Sequence, residues 1–266
     1  MESENNEEIQ DYDSYLSRMK KSIDDKIFFT SYLGLIDSFV DFGCADGELL
    51  KRVHELCPQL QLFGIDNSSS MISMSEPNSS VYQSILSDLP IVPTGTEGLS
   101  ALNLSSVLHE VYNYGDYEYI KSFMQALKDS EYEYIFIRDM YYKNFTRRQC
   151  LVDVDYLSQA IYAYGDTNQI IDFEKIYGRI CQDKQRAIHF LLKYTYKENW
   201  RREVEENYFS VDFDNFLYQL ENKYKCIHYE YYVNQFIARR IRRDFHIDFY
   251  QPTHIKVVLK KSRMKI

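Results

Sequence analysis

Phe39–Met71 reads FVDFGCADGELLKRVHELCPQLQLFGIDNSSSM. An apolar run, Phe39–Phe42, leads into the turn Gly43-Cys44-Ala45-Asp46-Gly47. From Glu48 to Leu56, Leu49, Leu50 and Val53 share one helical face, and Pro58 follows where a helix cannot continue. Gln61–Ile65 is a second apolar run, with Asp66 at its tip. Strand, turn, helix and strand make a βαβ unit, which places the chain in the α/β class.

Each part of the unit suits a nucleoside ligand. Glycines let the backbone approach where a Cβ would collide. The N–H groups opening the helix offer donors and a positive dipole end. A carboxylate about 20 residues on is placed to accept both ribose hydroxyls. The glycine spacing narrows the ligand. Dinucleotide turns use G-x-G-x-x-G and rest a pyrophosphate on the helix. Here the pattern is Asp41-x-Gly43-x-x-Asp46-Gly47, whose paired carboxylates repel a pyrophosphate and suit a cation.

This stretch resembles motif I of the class I S-adenosylmethionine (SAM) dependent methyltransferases, D/E-x-G-x-G-x-G, with Ala45 in place of the middle glycine. The resemblance implies a seven-stranded, mostly parallel sheet with helices on both faces. It implies SAM as cofactor and S-adenosylhomocysteine (SAH) as product. The cofactor set it suggests is Asp41, Gly43, Cys44, Ala45, Asp46 and Gly47 around the methionine part, and Asp66 with Asn67 at the ribose. Ser68–Ser70 suit a helix start, and Met71 is placed either near the adenine or in the core. Val81–Ile85 reads as a third strand. Asp88, in the following Ser87-Asp88-Leu89-Pro90, is either the acid that family members often offer to the adenine amino group or a solvated turn residue.

Gly98–Ser105 reads as the fourth strand, and Ser105 at its end joins the cofactor set. Ser105-Ser106-Val107-Leu108-His109-Glu110 resembles the motif IV region of small-molecule methyltransferases and lacks the N/D-P-P-Y signature of amino-group nucleic-acid enzymes. Ligands of open parallel sheets bind beyond the carboxyl ends of the strands. His109 is therefore the candidate general base, against a packing role. Glu110 either orients it or is a helix-start acid.

The chain has 266 residues, enough for one α/β domain with an insertion. Its 45% apolar content excludes a disordered chain. No apolar run reaches the ~18 residues of a membrane span. Met1–Asp13 is acidic rather than signal-like, and five scattered cysteines form no C-x-x-C pair, so the expectation is a cytoplasmic protein without a zinc site. The net charge is −9, which does not draw nucleic acid or membrane to the surface as a whole.

Residues 1–12 read as a flexible lead and 13–142 as the SAM-binding core, opening over Asp13–Phe29 with a helix or a pair of short helices that either caps the SAM pocket, as the resemblance implies, or only packs. Tyr112–Asp129 reads as a helix after a short loop, Asn113-Tyr114-Gly115-Asp116, and Tyr132–Arg138 as the fifth strand. Arg138-Asp139 either reaches over an acceptor pocket or forms a structural ion pair. Residues 143–209 read as a helical insertion with helices near Asp153–Tyr164, Phe173–Cys181 and Gln185–Tyr196, and one strand-like run, Gln169–Phe173. Insertions at the ligand end of a sheet usually build a lid. Arg147, Arg148, Arg201 and Arg202 lie at its edges, and His189 within it is either a second pocket histidine or a surface or core residue. Residues 210–266 carry a helix over Val211–Asn222, a sixth strand at Tyr224–Tyr232, a basic helix at Asn234–Phe245 and a seventh strand at Pro252–Lys260. In the family the last strand inserts antiparallel between the fifth and sixth.

The expected activity is methyl transfer to an oxygen or nitrogen of a small molecule. Two alternatives stand beside it. RNA is one, held by Arg239, Arg240, Arg242, Arg243, Lys260, Lys261, Arg263 and Lys265 along a basic edge. The other is a SAM-binding partner or sensor that does not methylate.

Overall fold

The computed structural model describes residues 23–75, 80–96, 98–143 and 153–262. The acidic lead, most of the expected Asp13–Phe29 helix, Arg147, Arg148, Arg263 and Lys265 lie outside them. A one-turn helix, α1 (Ile23–Lys26), precedes the sheet.

Apolar runs without polar alternation become strands covered on both faces. β1 (Ser38–Phe42) and β4 (Ser100–Ser105) are buried at every position, and β5 (Tyr134–Met140) at all but its last. With β2 (Gln61–Asp66), β3 (Gln83–Leu86), β6 (Tyr224–Tyr232) and β7 (His254–Lys261) they form a seven-stranded sheet, ordered β3-β2-β1-β4-β5-β7-β6. β1 pairs in parallel with β2 and β4, β2 with β3, and β4 with β5. β7 runs the other way. Lys261 N–H donates to Glu133 C=O at 2.8 Å and Tyr141 N–H to Thr253 C=O at 2.8 Å, so numbers rise on one strand as they fall on the other. Ser262 N–H to Lys223 C=O and Thr253 N–H to Tyr232 C=O set β6 against β7 likewise. The expected antiparallel insertion of the last strand is what the sheet shows.

α2 (Glu48–Leu56) has the predicted ends and buries Leu49, Leu50 and Val53. α3 (Ser69–Ser75) follows β2. The helix read as Tyr112–Asp129 is two: α4 (Leu108–Tyr114) and α5 (Tyr117–Asp129). Gly115 closes the first, and Asp116 caps the second by accepting Tyr119 N–H at 2.8 Å. His109 and Glu110 consequently lie within a helix rather than ahead of one.

The chain divides into two compact units. One takes Leu16–Asp139, Val211–Glu230 and Ile255–Ile266 and holds most of the sheet. Its core includes a stack of rings: Phe29 lies 4.7 Å from Phe136, and Phe39 packs beside both. α10 (Phe213–Leu220) adds Phe216 and Leu220.

The other unit takes Met140–Ser210 and Tyr231–His254. It contains α6 (Val154–Tyr164), α7 (Thr167–Tyr177), α8 (Lys184–Lys193), α9 (Trp200–Glu205) and α11 (Gln235–Phe245). The strand-like run Gln169–Phe173 is helical, inside α7. Asp166 starts that helix by accepting Asn168 and Gln169 N–H groups, so it begins six residues earlier than the expected Phe173. α11 carries arginines on one face and Ile237, Ile241 and Phe245 on the other, and the last two join Leu157, Ile161, Phe173 and Phe190 in one core. The basic helix therefore belongs with the helical insertion, not with the terminal hairpin as the sequence division had it.

Phe136 is fully buried, so Phe136→Ala is expected to cost about 3–5 kcal/mol of unfolding free energy. A loss below about 1 kcal/mol in urea titration would show that the ring stack is not central to this core.

Candidate active site

The glycine turn has a left-handed backbone at three positions: Gly43 (φ +76°), Ala45 (φ +47°) and Gly47 (φ +75°). A Cβ on Gly43 would stand 2.8 Å from Val107 Cγ2, and one on Gly47 1.7 Å from the Tyr82 hydroxyl. Tyr82 donates that hydroxyl to Asp46 C=O at 3.2 Å, so the second glycine makes room for the ring that braces the turn. Ala45 accepts a left-handed strain of about 1 kcal/mol. Its N–H is held by Asp66 Oδ2 at 2.9 Å, which ties the turn to the end of β2 and explains how alanine serves where the motif has glycine.

A shallow cleft opens at the carboxyl ends of β1 and β4. Asp41, Gly43, Cys44, Ala45, Asp46 and Ser105 line it, joined by Lys26, Ile23, Glu48 and Leu49. Six predicted cofactor residues thus share one wall. Asp41 is buried and pairs across the sheet, where Asn103 Nδ2 donates to its Oδ1 at 2.7 Å. Burial pushes the Asp41 carboxyl up to about 7, against the Asn103 hydrogen bond and the charge of Lys26. Burial, with the charge of Arg138, pushes the Lys26 ammonium down to about 8. Asn103 Oδ1 and Ser105 Oγ are buried and make no hydrogen bond among the described residues.

The donor set fits SAM. Acids meet a sulfonium and an ammonium, the glycine turn admits a close ligand, and Ser105 Oγ offers an unspent polar atom at the wall.

Other predicted cofactor residues stand back from this wall. Gly47 begins α2. Asp66 directs both oxygens to backbone, Oδ2 to Ala45 N–H and Oδ1 to Ser68 N–H at 2.9 Å, and burial raises its carboxyl. A carboxylate has about four acceptor sites, so capacity for a ribose remains. Asn67 is exposed and Met71 buried. The Asp88 side chain is exposed, and its backbone C=O accepts the Tyr119 hydroxyl at 2.8 Å.

At the end of β4 the group against the His109 ring is Asp139. His109 Nδ1 lies 2.6 Å from Asp139 Oδ1. Asp139 Oδ2 accepts the N–H groups of Leu108 (2.8 Å) and His109 (3.2 Å), so one carboxylate starts α4 and holds its imidazole. Glu110 is the acid of the first turn of α4. Arg138 pairs with Asp25 at 2.7 Å and donates to Ser106 Oγ at 2.7 Å. Asp25 also meets Lys256 at 3.0 Å. Ser106 is left-handed (φ +58°) and stands between β4 and α4.

Sequence reading missed Lys26 and Asn103, and it placed Asp139 over an acceptor pocket or in an ion pair without its contact to His109. Asn103 is opposite Asp41 in the β1–β4 register, a signal that exists only once the strands are paired.

The remaining candidates lie elsewhere. His189 is a core residue of the helical unit, its Nε2 accepting Tyr208 N–H at 3.3 Å among aromatic rings. Arg202 faces Glu203 and Glu206. On the proposed basic edge, Arg242 pairs with Asp248, Arg243 with Asp244, Lys260 with Glu133 and Lys261 with Glu131. The Arg240 guanidinium lies over the Tyr194 ring at 5.4 Å.

No protein-family model matches the sequence, and no curated protein does. Solved structures do. The plantazolicin methyltransferase BpumL in complex with SAH is similar with a TM-score of 0.52 at 13% identity, over 94% of this chain and 89% of that one. The methyltransferase domain of bacterial CtHen1 is similar with a TM-score of 0.51 at 12% identity, over 91% of this chain and 100% of that one. Such likeness at low identity shows the fold: this chain has the class I SAM-dependent methyltransferase fold.

Gly47→Ala is expected to lose at least about 2 kcal/mol of stability, because the new methyl displaces Tyr82 from a backbone already left-handed. Unchanged urea midpoints would refute the bracing role of Tyr82. A carboxyl raised by folding holds its proton more tightly in the native state, so its contribution is full below pH 4 and fades as pH rises to about 7. Asp41→Asn should flatten that decline, read as unfolding midpoints at pH 5 and pH 7.

Proposed function

We propose that the protein transfers a methyl group from SAM to an oxygen or nitrogen of a small-molecule acceptor. The observation that carries this reading is the cleft at the ends of β1 and β4, walled by Asp41 and the glycine turn. The strand order, the unspent Ser105 hydroxyl and the similar fold of an SAH-bound enzyme support it.

Bound SAM supplies an electrophilic methyl on a sulfonium, which leaves the protein to align partners and manage charge. Asp41 and Asp46 offer negative charge to the cationic end of the ligand. Asp66 offers its remaining lone pairs to the ribose. His109 takes the proton of an acceptor hydroxyl or amine, at the end of β4 where acceptors of this fold meet the cofactor. Glu110 follows it in the first turn of α4 and offers a second acid there. The ion pairs along the C-terminal edge and the −9 net charge favour a small acceptor over RNA.

Calorimetry with SAM and SAH tests the cofactor. Ionised Asp41 and uncharged Lys26 both favour a cation, so SAM affinity is expected to rise between pH 6 and 8, by up to about tenfold per pH unit. Asp41→Asn should blunt the rise. Absence of binding for either compound at high micromolar concentration would sink the assignment. Transfer of labelled methyl into fractionated lysate tests the acceptor. Label in the small-molecule fraction is expected; label in RNA alone would overturn that choice, and binding without any transfer would leave a sensor.

A further inference from the structure

We propose that β6 pairs antiparallel with β6 of a second copy of this chain, with Ile227 on the two-fold axis. Among the described residues β6 is an outer strand of the sheet, nine residues long. The opposite outer strand, β3, has four. An outer strand turns a row of N–H and C=O groups away from the sheet, where an extended chain can pair with them. Short strands and prolines are two of the devices that blunt such an edge. β3 is short, whereas β6 is long and contains no proline.

The side chains of β6 are open on both faces. Successive residues of a strand point to opposite faces. Lys225, Cys226, Ile227, His228, Tyr229 and Glu230 are all exposed, Ile227 at 41% and Tyr229 at 37%. The Phe28 ring comes within 6.3 Å of the His228 ring and still leaves it exposed. β-Branched and aromatic side chains are the ones that pack best across a strand pair.

The order of these residues selects the occupant. Lys225, Ile227 and Tyr229 alternate along one face. A two-fold axis at Ile227 sets Ile227 against its own copy and each Lys225 against Tyr229 of the other chain. An ammonium over a tyrosine ring is attractive, whereas two lysines directly opposite would repel. On the other face Cys226 meets His228 of the second copy, and His228 keeps Glu230 of its own strand at 3.6 Å. Moving the axis to Cys226 would set Lys225 against the apolar Ile227. Moving it to His228 would set two imidazoles face to face. The strand is thus complementary to itself about one residue, the condition for a closed two-fold contact. β7 and β5 separate β6 from β4, so the pairing leaves the cleft at β1 and β4 open in both copies.

Sedimentation velocity of the full-length protein at tens of micromolar tests the interface. The expected result is a dimer that dissociates on dilution, and a monomer for Ile227→Lys, which places two ammonium groups on the axis. Unchanged circular dichroism checks that this variant is folded. A parent protein that stays monomeric at this concentration would overturn the proposal, and so would a dimer that folded Ile227→Lys leaves intact. Disulfide trapping reads the register without that variant. In a Cys226→Ser background, Ile227→Cys puts two sulfurs on Cβ atoms about 4.5–5.5 Å apart, near the span of a disulfide. Fast oxidation to a linked dimer is expected for Ile227→Cys, and for Lys225→Cys mixed with Tyr229→Cys, with the linked peptides identified by mass spectrometry. Lys225→Cys alone and Tyr229→Cys alone should oxidise slowly. No linkage through position 227, or fast linkage of position 225 or 229 to its own copy, would refute the axis at Ile227.

Discussion

The hydrogen bond from Asn103 to Asp41 joins the two strands on which the candidate site is built. Asp41 lies in a strand buried at every position, where an isolated carboxylate is strongly disfavoured. Asn103, its register partner on β4, supplies one donor, and Lys26 supplies a compensating charge. The pairing makes an acid tolerable at the foot of the cleft. It does not make the acid comfortable, since burial still drives the carboxyl toward neutrality. A cation arriving in the cleft favours the ionised carboxylate, so the acid that burial disfavours is also the one suited to select a positively charged ligand.

A similar economy governs the loops at the strand ends. Ala45 and Ser106 both stand left-handed without being glycine. Each is held by a group from a neighbouring strand: Ala45 N–H by Asp66 at the end of β2, and Ser106 by Arg138 of β5, whose C=O accepts Ser106 N–H at 2.7 Å. The sheet order brings those strands together, so the topology itself maintains the two strained turns. Neither turn would keep its shape as an isolated peptide.

Much of the core was legible because its signals are local. The turn, the ends of α2, the position of β6 and the strand order follow from glycine spacing, helical periodicity and a recognisable motif. Three misreadings have separate causes. The split between α4 and α5 falls at Gly115 and the Asp116 cap, inside the loop Asn113–Asp116 that the sequence marks, while the seven residues of α4 are too few for a periodic pattern. The helical state of Gln169–Phe173 was obscured because a five-residue window cannot separate strand from helix periodicity. The placement of α11 with the helical unit depends on which core covers its apolar face, and a sequence shows the face but not its partner.

The candidate site divides along the same line. Residues within the glycine turn were found because their chemistry is contiguous. Asn103 and the contact of Asp139 with His109 were not, because each pairing runs across strands, over 62 and 30 positions in sequence. Asp139 looked like half of an ion pair with its neighbour Arg138. Alternation in β5 forbids that reading, since successive side chains leave opposite faces of a strand. One residue goes to Asp25 and the other to the start of α4. The pleat thus assigns the arginine to bracing α1 and the aspartate to the histidine. An adjacent pair of opposite charges on a central strand is accordingly better read as two separate contacts, one on each side of the sheet.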